Sequence, residues 1–417
     1  MTQTDHVVAP EVEVKEIHFN HRPGENMGDA IDLVANAGET DPSSVVPEYV
    51  SGRKDNYPVA YIPGVKPSIK AVFAVRPGFI PSLAVSSPAP VSGLPGNPYK
   101  ILEGMPEVAA ERDTGGQNPS GDEAMFTALL QDGRETPRVI GNHTVALRWR
   151  VESMADVKFT GGYWEYLAET TQNNVYILLD APKMPWMDGA GHGESYPWFG
   201  ALEFVIGPAE NGKTCGTDGI ADAHEAMRKI TEHLFYEHKC QYDTDKGAWR
   251  YGRVVNQLES FRFNGYIRLS KGPIVNCYDQ AGALYISSRL VGITSDFYFM
   301  GPFGMIKPTY LVGYDMKCNN PFFRNFKDGI NSPESYMEPY VKDEKIVRTG
   351  FGNHAFVVYD ALVYDACARP VLGKSKSQYF YDTIDLKYHL AHPDALCGDL
   401  MTLERSKCTK IPILIHD

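Results

Sequence analysis

The sequence predicts an α+β protein in two parts, a β-sandwich followed by a domain in which helices precede antiparallel strands. Three observations predict it. Residues 61–210 hold several short runs rich in β-branched and aromatic side chains, separated by turn-forming residues. After Gly207 the apolar spacing changes to three and four residues, the period of a helix. Strand-like runs then return in AFVVYD and LVYDAC. A chain of 417 residues also exceeds what one core ordinarily supports, and its 29 prolines and 38 glycines imply many turns.

Residues 1–60 mix acidic residues with Gly, Ser, Asn and Pro at little periodicity, the pattern of a flexible N-terminal arm or of a segment draped over another domain. The β-sandwich domain, residues 61–210, contains IKAVFAVRPGFIPSLAVSS, HTVALRWRVE, GYWEYLAET, NVYILLDAP and ALEFVIG. In HTVALRWRVE, Val145, Leu147, Trp149 and Val151 alternate with Thr144, Ala146, Arg148 and Arg150, as in one half-buried strand. The polar stretch PEVAAERDTGGQNPSGDE reads as a long surface loop. In the third segment, residues 211–417, Ile220, Ala223, Met227, Ile230 and Leu234 predict an amphipathic helix behind Asp218, running to about Tyr236. A second helix is expected over 277–291.

A net charge of −12 with no Lys/Arg-rich run speaks against nucleic-acid binding, which needs a basic surface. The N-terminus lacks a basic start with an apolar segment behind it, and no stretch reaches the length of a membrane span. The expectation is a soluble, cytoplasmic protein with no membrane partner. Seven cysteines, an odd number without CxxC pairs, point to free thiols in a reducing compartment and call for no metal or cofactor.

The most informative segment is SKGPIVNCYDQAGALYISSRLVGI. A turn at Lys271-Gly272-Pro273 leads to Asn276, a good N-cap, and Gly292 is a good C′ residue. Cys277 is therefore expected at the first helical position, where unpaired N–H groups and the positive end of the helix dipole stabilise a thiolate. The same N–H groups suit the oxyanion of a tetrahedral intermediate. Downstream, TGFGNHAFVVYDALVYDAC reads as a hairpin with its turn near Asp360-Ala361. His354 opens one strand and Asp365 lies in the returning one, within reach of it. Cys277, His354 and Asp365 in that order have the makings of a nucleophile, a base and an orienting carboxylate. Asp360 competes for the third role, but a hairpin tip favours Asp for turn reasons alone.

The helix-capping cysteine in GPIVNCYDQAGALYISSRLVGI, the strand opening on His in GNHAFVV and the neighbouring VYDA together resemble the core of the transglutaminase-like superfamily, a papain-like Cys-His-Asp fold. ADAHEAMRKITEHLFYEH resembles the helix upstream of that cysteine, so the resemblance covers about residues 220–370. It implies Cys277 as nucleophile, His354 as base, Asp365 as orienting residue, and a thioester formed with a carboxamide or peptide carbonyl of a protein or peptide substrate. Crosslinking, deamidation and amide hydrolysis share that intermediate. The stretch between 295 and 350 is longer than the common pattern, and the upstream aromatic oxyanion residue has three candidates, Trp249, Gln257 and Asn264.

Other readings stand beside this one. Cys277 alone reads as an ordinary buried cysteine, and the whole domain as a binding or scaffold protein without turnover. GPAENGKT at 207–214 matches a phosphate-binding loop after an apolar run, although CGTDG breaks the helix that should follow. His224, His233, His238 and Cys240 lack the spacing that sets three ligands on one helical face. Trp186 and Trp198 flank the glycine-rich MDGAGHGESYP and read as cleft walls or core anchors.

Overall fold

The computed structural model describes residues 11–19, 30–39, 47–54, 56–76, 83–85, 89–90, 108–112, 123–130, 134–153, 165–170, 173–186, 195–207, 214–255, 258–268, 273–325, 336–337, 340–342, 345–391, 408–410 and 413–415. The fold is mixed α+β, with sheet predominating. The chain divides into a first unit built mainly from residues 1–181 and a second built mainly from residues 200–417.

In the first unit the strands are β1 (Glu11–His18), β2 (Ala30–Ile31), β3 (Tyr49–Val50), β4 (Val59–Tyr61), β5 (Ile69–Arg76), β6 (Leu83–Val85) and β7 (Ala89–Pro90). They continue as β8 (Val108–Arg112), β9 (Ala124–Leu130), β10 (Gly141–Val145), β11 (Leu147–Ser153), β12 (Glu165–Glu169) and β13 (Asn173–Ile177). One sheet runs β12-β11-β6-β8-β9-β5-β1-β3 with β7 on β11, and a smaller one runs β10-β13-β4-β2. β12 also lies close to β1, so the large sheet curls back on itself. Val12, Phe73 and Trp149 of the large sheet share one apolar cluster with Val59, Tyr61 and Val175 of the small one.

Three local expectations are corrected here. The arm expected over residues 1–60 contains β1, paired antiparallel with β5 from Glu11 opposite Arg76 to His18 opposite Lys70. Its Val12, Val14 and Ile17 are buried, and a bulge between Val14 and Glu16 breaks the strict alternation that would have announced a strand. The loop expected in PEVAAERDTGGQNPSGDE contains β8, whose Glu111 and Arg112 pair with β9. HTVALRWRVE is two strands: β10 pairs with β13, and beyond Ala146 β11 joins the other sheet, so the run switches layers at one residue.

In the second unit, α1 (Phe199–Ile206) is the run ALEFVIG read above as strand-like. Ala201, Leu202, Phe204, Val205 and Ile206 are all buried, and a continuous apolar run does not distinguish a buried helix from a buried strand. The expected amphipathic helix is α2 (Ala223–Glu232), capped by Asp222 rather than Asp218 and prolonged by a π-turn over His233–Glu237. A short α3 (Phe263–Ile267) precedes α4 (Cys277–Leu290), and α5 (Lys376–Thr383) follows the main sheet strands. That sheet contains β14 (Asp296–Met300), β15 (His354–Tyr359), β16 (Leu362–Asp365), β17 (Val371–Ser375) and β18 (Cys408–Lys410), in the order β17-β16-β15-β14-β18. α4 is buried along its whole length except at Tyr278 and packs on β15. No helix among the described residues is long and apolar enough to cross a membrane.

Candidate active site

The site begins with the cap of α4. Asn276 accepts from Asp279 N at 3.0 Å, and Asp279 Oδ2 accepts in turn from Asn276 N at 3.0 Å. This reciprocal box seats Cys277 as the first helical residue, where a backbone N–H has no acceptor within the helix. Gln280 N already bonds Asn276 O, and Asn276 Nδ2 reaches Gly247 O at 2.9 Å. At the other end Gly292 adopts φ +91°, the left-handed conformation that lets the chain leave the helix.

Asp279 also accepts from Arg250 N at 3.1 Å and Tyr251 N at 2.9 Å. It therefore ties the segment carrying Trp249 to the mouth of α4. Burial pushes its carboxyl up to about 7 against the pull of these N–H donors. The strands Gln241–Tyr242 and Ile274–Val275 run parallel just before the cap and fix how the chain enters it.

The hairpin of β15 and β16 turns at Asp360 and Ala361, with φ of 47° and 60°, the pattern of a two-residue primed turn. Val357 faces Tyr364, so one step further Asp365 ends β16 near the start of β15. His354 Nε2 lies 2.9 Å from Asp365 Oδ2. Two backbone donors, Cys367 N at 2.8 Å and Ala368 N at 3.3 Å, hold Oδ1, and Tyr379 Oη donates to Oδ2 at 2.8 Å. A carboxylate with these donors is fixed in place.

His354 is wholly buried between the rings of Phe351 and Phe303, with centroids 4.9 and 4.7 Å away. Burial by itself lowers the imidazole pKa. The Asp365 carboxylate outweighs that and carries it up to about 10, with a side-chain hydrogen bond and the charge of Cys277 adding in the same direction. Because Nε2 is committed to Asp365, Nδ1 is the nitrogen left for sulfur. Nδ1 is buried and has no partner of ordinary hydrogen-bond geometry, so the thiol contact is a loose one. Cys277 is 4% exposed.

The three sequence-predicted residues thus converge from three elements of one unit. Asp360 does not join them: it stands at the hairpin tip, 3.3 Å from His224 Nε2. Of the oxyanion candidates, Gln257 lies outside the described residues and Asn264 sits in α3. Trp249 packs 5.3 Å from the ring of Tyr278, and its Nε1–H is buried without an acceptor. Tyr379, Phe351 and Phe303 were not singled out from sequence, since they reach the site only through the tertiary fold.

The remaining candidates resolve into packing. His233 and His238 lie against Phe204, and burial pushes both down to about 4. His224 bonds Tyr364 Oη at 2.9 Å, and Cys240 Sγ reaches Tyr266 Oη at 3.6 Å, so the four do not gather. The phosphate-loop reading is corrected in its context, because α1, a helix, stands where that motif needs a strand. Residues 208–213 of it lie outside the described residues. Trp186 Nε1 donates to Ile286 O at 2.9 Å, which makes this tryptophan a core anchor. Trp198 is 2% exposed, and residues 187–194 lie outside the described residues.

No protein-family model and no curated protein matches the sequence. Among solved structures, the chain is similar to the crystal structure of red sea bream transglutaminase at 12% identity and a TM-score of 0.28. The match covers 75% of this chain and 49% of that one, so this chain spans about half the length of that transglutaminase.

Proposed function

We propose that this protein is a transglutaminase-like cysteine enzyme in which a β-sandwich precedes the catalytic domain, acting on a carboxamide or amide bond of a protein or peptide. The Cys277 thiolate attacks the carbonyl carbon, and the backbone N–H of Cys277 faces the developing oxyanion. His354 gives its proton to the nitrogen as the C–N bond breaks, and ammonia or an amine leaves. Water or a second amine, deprotonated by His354, then attacks the thioester and expels the thiolate. Asp365 holds the imidazole and balances its charge. Cys215, Cys240, Cys277, Cys318 and Cys367 are free thiols, which supports a reducing compartment such as the cytoplasm.

The observation that carries this reading is the division of labour on His354: Nε2 at 2.9 Å from Asp365, with Nδ1 left to a cysteine that opens a helix. The second reading, a scaffold that keeps the fold without turnover, draws on the burial of the same groups, with Cys277 at 4% and His354 at 0% exposure. Iodoacetamide near neutral pH separates them. An enzyme is expected to be alkylated at Cys277 well ahead of Cys397 and Cys408, whereas equal or slower labelling of Cys277 supports the scaffold.

A further inference from the structure

We propose that Tyr379 is a positioning residue that acts on His354 through Asp365: its hydroxyl holds the same carboxylate oxygen that receives the imidazole Nε2–H, fixing where that oxygen sits and how strongly it draws on the proton. The assignment rests on the thiol-imidazole reading above.

Three observations carry it. Tyr379 Oη and His354 Nε2 lie 2.8 and 2.9 Å from Asp365 Oδ2, so two donors share one oxygen. The other oxygen is held by the backbone N–H groups of Cys367 and Ala368, which no side-chain substitution removes. Tyr379 is fully buried from α5, with its ring against Phe356 and Phe303 at 5.2 and 6.2 Å, so its hydroxyl is fixed by packing. Burial and the neighbouring carboxylate push its phenol well above the usual range, and it remains an O–H donor at every working pH.

The titratable groups facing the pair are Cys277 from α4, Cys367 from the turn after β16 and Tyr379 itself. Asp279 on α4 bears on Cys367. Removing the hydroxyl leaves the carboxylate anchored through Oδ1 but takes one donor from Oδ2. That oxygen becomes more basic and draws harder on the imidazolium, so His354 retains its proton to higher pH.

The test is the rate of Cys277 alkylation by iodoacetamide as a function of pH, read by peptide mass, in the full chain and in Tyr379→Phe. The upper inflection, where the imidazolium is lost, is expected to rise by about half to one pH unit. A merely structural tyrosine would lower the melting temperature without moving that inflection. Tyr364→Phe, which removes a hydroxyl bonded to His224 away from the site, is expected to leave the profile in place. Should Tyr379→Phe not fold, 3-fluorotyrosine placed at 379 makes the phenol a stronger donor and is expected to lower the inflection. A profile that changes in His354→Gln but not in the Tyr379 variants overturns the assignment of Tyr379 alone. A profile indifferent to His354→Gln overturns the thiol-imidazole reading, and the role of Tyr379 with it.

Discussion

His354 and the pair His233–His238 belong to the same unit and are all hidden from water, yet His354 is charged at neutral pH and the other two are neutral. Around His233 and His238 stand Phe204 and each other's rings, 5.8 Å apart. Their polar contacts are the carboxylate of Glu237, 3.3 Å from His233, and Tyr266 O, 3.1 Å from His238. Burial takes both imidazoles down to about 4, and they are neutral at pH 7. His354 suffers the same burial, yet Asp365 carries it up to about 10. Burial makes a histidine a neutral packing group. A carboxylate already held by backbone N–H groups turns the same burial into a stored proton beside a thiol.

The contrast breaks most sharply at His354. In His354→Gln, alkylation of Cys277 at neutral pH is expected to fall by about 10²- to 10⁴-fold, the usual worth of a positioned acid-base group. An unchanged rate would make this imidazole a packing residue like the other two. Asp365→Ala comes next. It strands the imidazole and the donors on Cys367, Ala368 and Tyr379, and is expected to cost about 3–5 kcal/mol in denaturant unfolding, as when one partner of a buried pair is deleted. A variant that keeps its stability would mean the carboxylate is not held as described.

The two kinds of histidine also pull stability in opposite directions with pH. His233 and His238 are depressed below their unfolded value near 6.5, so the stability they permit is present above that pH and is lost as pH falls from 6.5 toward 4. His354 is raised, so its contribution is full below 6.5 and is lost as pH rises through about 10. Urea unfolding of His233→Leu should show a flatter acid limb, gaining about 2–3 kcal/mol relative to the parent near pH 4. The smallest expected effect is at the cap. Asn276→Ala removes one half of the capping box and should cost about 1 kcal/mol in the same measurement.

The parts legible in the sequence are those set by neighbours along the chain. Asn276, Cys277 and Asp279 declare a helix start within four positions, and Gly292 declares its end, so α4 falls within a residue of the expected span. Asp360-Ala361 between apolar runs declares a tight hairpin, and period-two geometry then brings Asp365 back toward His354. What escaped the sequence depends on partners far away in it. β1 is a strand because β5 lies beside it, and its bulge hides the alternation. α1 escaped because a continuous apolar run reads alike as a buried helix or a buried strand. Ala146 is a layer switch because β10 and β11 find different partners. Tyr379 looks like one aromatic among several in KSQYFYDT until α5 packs it against Asp365.

The central claim, that Cys277 becomes an acylated nucleophile with His354 as its proton carrier, is met most directly by pre-steady-state reaction with p-nitrophenyl acetate. The expected result is a stoichiometric burst of p-nitrophenolate with the acetyl group recovered on Cys277, lost in Cys277→Ala and strongly slowed in His354→Gln. A burst that survives Cys277→Ala, or no acetyl on Cys277 when the folded protein is acid-quenched within the burst, would contradict it.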